Sequence, residues 1–440
     1  MTPKLKAFET YAGQLEVLAS QLLSTPEVCG DRRKDLLVAL DGGSSAALRR
    51  VVPIEKRRKM GAFFTSSLLA EQALEFFKEP IPDSAVFLDF ACGAGDLLLA
   101  AARRLPNDQD LQSTLSLWGQ RLIGFDLQPE FVRAAKVRLL LLAIEQVAPN
   151  AELSIDVHEQ FPFLQTADGL TQLEDLSEVT HIIINPSFAK QTVPEGCTWA
   201  TKKVSSAAVF LHACVSRAEE GTKIVAILPD VLRSGSNYKN WRREIGARAT
   251  IDEIKLIGRF DKWTDVDVFI IRLTVGADDN QVGETDWWNG IHEQGEVKVS
   301  DRFDIEVGGV VPHRDKKEGR WYAYVYSRLL PRWGTIRTFE EHRRSRGKVF
   351  KPPFVAVRRT SSPSDEFRAV GTLISGTELV AVENHLIVLK PKDGLVRTCR
   401  ELLQVLQNPK TNDWLNERIR CRHLTVPALQ ELPFGGNRNE

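Results

Sequence analysis

Between residues 60 and 275, short β-branched and apolar runs alternate with longer stretches whose apolar side chains recur every three to four positions. The runs at 85–91, 121–127, 152–157, 180–185, 222–229, 249–257 and 268–275 are predicted strands. Segments between the first five, such as 97–105 and 130–147, carry helical periodicity. Strands alternating with helices predict an α/β architecture, a mostly parallel seven-stranded sheet covered on both faces. Ligands on such sheets bind beyond the carboxyl ends of the strands, so chemistry is sought in the residues that follow each strand.

Upstream, Leu5, Phe8, Leu15, Leu18 and Leu22 share helical spacing up to a break near Pro26. A second helix is expected around 36–40, then a Gly-Gly-Ser-Ser turn at 42–45 and a basic stretch from Arg49 to Lys59. Residues 1–56 are therefore expected to form a short N-terminal helical segment and 57–280 the α/β domain. The polar, turn-rich 277–290 marks a boundary, after which 281–440 shows short β-like runs and helical patterns near 397–407 and 426–431, an α+β domain. The chain has no internal repeat and no low-complexity segment.

With 440 residues, 43% of them hydrophobic and 26% charged, the chain has the composition of a globular protein, which excludes fibrous and disordered classes. The longest apolar run, 139–144, is far short of the roughly 20 residues a membrane helix needs, and the N-terminus has no apolar signal core, so a cytoplasmic location is expected. Six scattered cysteines without a CxxC pair predict neither a disulfide framework nor a metal site. The 58 basic and 58 acidic residues hide an asymmetry. Residues 301–440 hold 25 Lys and Arg against 17 Asp and Glu, a net of +8; the first 300 hold 33 against 41, a net of −8.

The first strand runs into Asp89-Phe90-Ala91-Cys92-Gly93-Ala94-Gly95-Asp96. Gly93 and Gly95 permit a tight turn and a close ligand, and Asp89 can receive a cationic or hydroxyl group. The third glycine of a pyrophosphate-binding loop is missing, and Asp96 at the helix start opposes a phosphate, so a cofactor without phosphates fits better. Thirty-seven positions after Asp89, Asp126 ends the second strand, where an acid commonly binds both ribose hydroxyls of an adenosine ligand. A helix-capping role is the other reading of Asp126.

DxACGAG followed by GFDxxP resembles the S-adenosylmethionine-binding half of Rossmann-like class I methyltransferases. Arg57 to Thr65 is similar to the basic-G-x-F-Y/F-T-P element that precedes the first strand in N6-adenine DNA methyltransferases of the gamma arrangement, with Ser66 in place of the final proline. The resemblance implies S-adenosylmethionine as cofactor, contacted by Phe64, Thr65, Asp89, Ala91, Cys92, Gly93 and Asp126. It also implies an acid at the end of the third strand. Asp156 is the candidate, with His158 as competitor and an ordinary loop acid as the alternative.

The fourth strand runs into Asn185-Pro186-Ser187-Phe188. The family's tetrapeptide is Asn-Pro-Pro-Tyr/Phe, so three positions match. An exocyclic adenine amine is a poor nucleophile because its lone pair is delocalised into the ring. Accepting both N–H bonds, at the Asn185 side-chain oxygen and the Pro186 carbonyl, localises that lone pair toward the methyl donor. Phe188 would stack on a base flipped out of its duplex. Ser187 spares these groups but removes a rigidifying ring, leaving reduced activity or an altered acceptor open. Phe260 resembles the family's second aromatic against the target base; Trp263 could serve instead, and either could be core.

From Arg314 to Lys351 there are twelve Lys and Arg against four acids, interleaved with Trp321, Tyr322, Tyr324, Tyr326 and Trp333. Such a face is an electrostatic footprint for nucleic acid, with a solvated basic surface as the alternative. Arg343, Arg344, Arg346, Lys348 and Arg358 are the candidate DNA contacts. The segments 351–360, 384–391, 402–417 and 424–434 resemble the target-recognition domain of TaqI-type and type IIG modification enzymes. The resemblance spans 57–435 and implies sequence-specific N6-adenine methylation of double-stranded DNA in a restriction-modification or phage-defence system. No nuclease domain fits in the first 56 residues, so cleavage is expected from a separate endonuclease or defence subunit. Methylation of RNA or protein glutamine, and a catalytically impaired DNA-binding homologue, are the rival expectations.

Overall fold

The computed structural model describes residues 6–24, 31–147, 154–172, 176–261, 263–276, 287–288 and 296–435. The described residues fall into two compact units, one within 1–229, 240–257 and 268–285, the other within 230–239, 258–267 and 286–440. Most of the polar boundary at 277–290 lies outside the described residues.

In the first unit, β1 (Phe87–Asp89), β2 (Leu122–Asp126), β3 (Leu164–Thr166), β4 (His181–Ile184), β5 (Lys223–Pro229), β6 (Ala249–Arg259) and β7 (Asp267–Val275) form one sheet. Its order is β3-β2-β1-β4-β5-β7-β6. β3 to β5 pair in parallel, and β7 runs antiparallel to β5 with Ile270 opposite Ile227. The four residues of β4 are all buried, as expected of a strand covered on both faces. Strand order reverses between β1 and β4, which places the ligand crevice at the carboxyl ends of these two strands.

The helix Pro129–Gln146 is buried from Phe131 to Ile144 except at Arg133, because the helix Lys6–Ser24 lies along it with Phe8, Leu15 and Leu22 turned inward. The expected turn at 42–45 is shorter than its composition suggests: Gly42, at φ 75°, starts a helix that already contains Gly43 to Val51.

The expected third strand at 152–157 is not found. Residues 151–153 lie outside the described region and 154–156 are irregular, while the Asp156 side chain accepts from the His158 amide and caps the helical turn Val157–Gln160. The strand forms later, at β3, where Thr166 pairs with Asp126.

The second unit stacks a four-stranded sheet, a five-stranded sheet and a helical layer. The strand Phe354–Arg358 shows why. Phe354 and Ala356 join Ala323, Val325, Val380 and Val382 between the sheets, while Val355 and Val357 face Cys399, Leu402 and Leu415 of the helices Val396–Gln407 and Pro409–Arg418.

Candidate active site

The loop after β1 is shaped by two left-handed glycines, Gly93 at φ 54° and Gly95 at φ 85°. A Cβ on Gly95 would stand 2.9 Å from the Ala135 Cβ, and one on Gly93 would stand 3.0 Å from the Phe64 ring. The close packing of helix, loop and aromatic ring therefore requires both glycines. Phe64 is held over the loop by Phe131 and Phe8, with centroids 4.9 and 5.8 Å away.

Two carboxylates frame this loop. Asp89 accepts from the Ala91 amide at 3.0 Å, and Asp126 accepts from the Gly93 and Gln128 amides at 3.1 and 2.8 Å. Burial pushes Asp89 up to about 8, against the opposing pull of the Ala91 amide and with the negative Asp126 adding to the rise. Burial likewise raises Asp126 to about 6. Burial dominates both shifts, so a cationic ligand in the crevice would draw the two carboxyl groups toward their charged forms. Cys92 sits beneath, its thiol pushed far above its ordinary range by burial, and so remains neutral.

Asp96 does not face the crevice as an uncompensated charge. It pairs at 2.8 Å with Arg138, whose side chain is fully buried and also donates to the Ala39, Leu40 and Ala94 carbonyls. One guanidinium thus ties the glycine loop to the N-terminal helices. Sequence reasoning misses Arg138, because a lone Arg on a helix usually reads as solvated. The signal was the helix itself, apolar on nearly every side.

The third strand's place in the chain brings a second acid into consideration. Asp156 caps a helical turn after irregular chain, whereas Asp168 stands two residues beyond β3, where Ala167 donates to the Asp126 carbonyl at 3.0 Å. Asp168 accepts from the Leu170 amide, and Gly169 passes so close to the Phe90 carbonyl that a Cβ would lie 2.2 Å from it.

At the end of β4, the Asn185 Nδ2 donates to Thr65 Oγ1 at 2.8 Å. Its Oδ1 accepts no bond among the described residues. Pro186 is buried; Ser187 and Phe188 are half-buried. The Ser187 hydroxyl accepts from the Ala189 amide at 3.2 Å, a local bond that restores part of the rigidity a proline would supply. Gly61, at φ 63°, lies so near that a Cβ would fall 1.5 Å from Ser187 Oγ. The Gly61 to Thr65 element and the tetrapeptide are therefore built as one unit. Among the described residues no three His, Cys, Asp or Glu side chains converge on a metal position.

The sequence profile of the family described as N-6 DNA Methylase matches residues 48–283, more than half of the chain. The chain belongs to this family. A search of curated proteins found no match. Among solved structures, the chain resembles the type IIL restriction-modification enzyme MmeI in complex with DNA, at TM-score 0.54 and 12% identity over 88% of this chain and 70% of that one. It also matches the type IIG restriction endonuclease BpuSI, at TM-score 0.42 and 13% identity over 90% of this chain, and spans 61% of that enzyme's length. At 12% identity the likeness to MmeI is one of fold.

In the second unit, Phe260 is buried and its amide donates to the Val266 carbonyl, while Trp263 is half exposed. The basic candidates divide. Arg343 is buried, donates to the Asp315 carbonyl at 2.8 Å and lies over the Tyr324 ring, which removes it from the expected DNA contacts. The cause is strand alternation: in His342–Ser345 the outward positions are His342 and Arg344. Arg344 and Arg346 are exposed, and Lys348 pairs with Glu306 at the surface. Arg358 is half-buried and donates to the Leu330 carbonyl. Among the described residues no helix is long and apolar enough to cross a membrane.

Proposed function

We propose that the chain transfers a methyl group from S-adenosylmethionine to N6 of adenine within a specific double-stranded DNA sequence. The observation that carries this reading is the Asn185 amide, pinned by Thr65 so that its NH2 is occupied and its oxygen is free to accept. A free acceptor at the end of β4 suits an amine that must be drawn toward tetrahedral geometry, with Pro186 supplying the second carbonyl. Phe188 is the candidate to stack on the extruded base, and Phe260 is the candidate second aromatic.

The acids of the crevice fit the cofactor. Asp89 and Asp126 are desolvated carboxyl groups with no ion pair among the described residues, suited to a cationic ligand that also presents ribose hydroxyls. Asp168, two residues beyond β3, is a candidate beside Asp156 for the acid that accepts from the adenine amine, while Phe64, Ala91, Cys92 and Gly93 are the candidates for the apolar and backbone wall. The cofactor supplies an activated methyl on sulfur; the protein supplies position and acceptors. The exposed bases of the second unit, and the DNA-bound state of MmeI, support duplex DNA as substrate and a restriction-modification setting, in which a separate endonuclease subunit would cut.

Transfer of tritiated methyl to adenine-containing duplex, to RNA and to protein tests the assignment. Label on adenine of duplex DNA is the expected result; label on RNA or protein alone, or on none, refutes it.

A further inference from the structure

Two residues beyond Phe188 the chain enters a hairpin, whose strands Lys190–Gln191 and Val204–Ser205 pair antiparallel with Lys190 opposite Ser205. Its base is tied to the tetrapeptide. The Ser206 amide donates to the Ala189 carbonyl at 2.8 Å, and the Ala189 amide donates to the Ser187 hydroxyl at 3.2 Å. Its tip turns at Glu195 and Gly196, where Gly196 stands at φ 75° and the Cys197 amide donates to the Pro194 carbonyl.

The hairpin is held more firmly than an idle surface loop requires. Trp199 is only 5% exposed, and its ring lies 5.8 Å from that of His212. The Thr198 hydroxyl donates to the Glu244 carboxylate, which also pairs with His212 at 3.2 Å and with Arg248 at 3.5 Å. Glu244 lies one turn along its helix from Trp241, whose indole donates to the Ala208 carbonyl at 2.9 Å.

What this support presents is charge. Between 189 and 205 stand Lys190, Lys202 and Lys203 against one acid, Glu195. All three lysines are exposed, and none makes an ion pair among the described residues. They stand out in the acidic part of the chain, residues 1–300, where 33 Lys and Arg face 41 Asp and Glu. Two peptide steps keep the Lys190 Cα within about 7.6 Å of that of Phe188. A nucleotide turned out of its duplex onto Phe188 carries with it the phosphates on its two sides, and a lysine ammonium is a compact point charge suited to phosphate. An arm ordered before it meets them loses little further freedom on binding.

We propose that the hairpin 189–205 is an arm that grips the DNA backbone beside the extruded nucleotide, with Lys190, Lys202 and Lys203 on its phosphates. The proposal rests on duplex DNA being the substrate and on the tetrapeptide receiving the target base.

The full chain is compared as wild type, as the arm variant Lys190→Ala/Lys202→Ala/Lys203→Ala, and as Lys34→Ala/Lys255→Ala, which removes exposed lysines on other elements of the same unit. Binding of a mixed-sequence duplex is measured between about 50 and 200 mM salt, with methyl transfer scored separately. The arm variant should lose about two to three from the slope of log affinity on log salt, and the control variant should lose nothing. A second duplex holds a single mismatched adenine, which is extruded at low cost, with or without uncharged methylphosphonate linkages on both sides of it. Those linkages should weaken wild type by about threefold to tenfold and leave the arm variant nearly unchanged. The arm is overturned if its variant keeps the wild-type slope, if the control variant loses as much, or if the neutral linkages weaken wild type and arm variant alike. Loss of slope in the arm variant without methyl transfer by wild type would support the arm and contradict the proposed activity. A wild type with no salt-dependent binding to duplex would overturn both.

Discussion

Replacing Arg138 by Met keeps the length of the side chain and removes its charge and all its donors. In the variant, Asp96 loses a partner at 2.8 Å while its own side chain is only 10% exposed, and the Ala39, Leu40 and Ala94 carbonyls lose bonds of 2.8, 3.3 and 2.5 Å. Breaking a buried ion pair by removing one partner costs about 3–5 kcal/mol, and a carbonyl left unpaired costs about 1–3 kcal/mol. Some of these carbonyls will reach water once the loop relaxes, so a loss of about 5 kcal/mol is expected, a large part of a domain's ~5–15 kcal/mol. Asp96→Asn removes the orphaned charge, and the double variant should recover about 2 kcal/mol relative to the sum of the singles. Urea unfolding followed by tryptophan fluorescence measures all four proteins, Trp118 being fully buried in the same unit. Because Ala94 lies between the two loop glycines, cofactor affinity should also fall by about tenfold or more. Arg138→Met within about 1 kcal/mol of wild type, or additive single effects, would refute the clamp.

Three further outcomes follow from the crevice. With Asp89 raised to about 8 by burial, the free protein holds it protonated below that pH, whereas a cationic cofactor favours the carboxylate. Affinity should therefore rise with pH toward about 8 and level off above it, with proton release on binding seen by calorimetry in two buffers; affinity independent of pH from about 6 to 9 contradicts this. Thr65→Val frees the Asn185 amide to rotate and should slow methyl transfer at saturating cofactor about tenfold to a hundredfold, with Thr65→Ser restoring the rate. Gly61→Ala places a Cβ 1.5 Å from Ser187 Oγ in a strained left-handed backbone, so transfer should fall more than about a hundredfold, and adding Ser187→Gly should restore part of it.

The apolar runs that lead into the candidate site are legible. β1, β2 and β4 combine buried strand cores with an acid or an amide at the carboxyl end, and pattern and chemistry point the same way there. β3 was not. Its three residues Leu164, Gln165 and Thr166 carry one buried side chain, too few to set a period, while the alternation around Asp156 imitates a strand that a capping bond turns into helix. Arg343 and Arg138 failed for a shared reason. Charge in a sequence reads as surface, yet a strand's alternate face and a helix covered all round both carry it inward, where backbone carbonyls satisfy the guanidinium.

The central claim, that the Asn185 oxygen activates an adenine amine, is tested most directly by nucleoside mass spectrometry. DNA incubated with S-adenosylmethionine and either wild type or Asn185→Ala would be digested and its N6-methyladenine measured, alongside cofactor affinity for both proteins. Wild type should produce N6-methyladenine, and the variant should produce none above background while binding the cofactor as wild type does. Undiminished N6-methyladenine from Asn185→Ala would contradict the account.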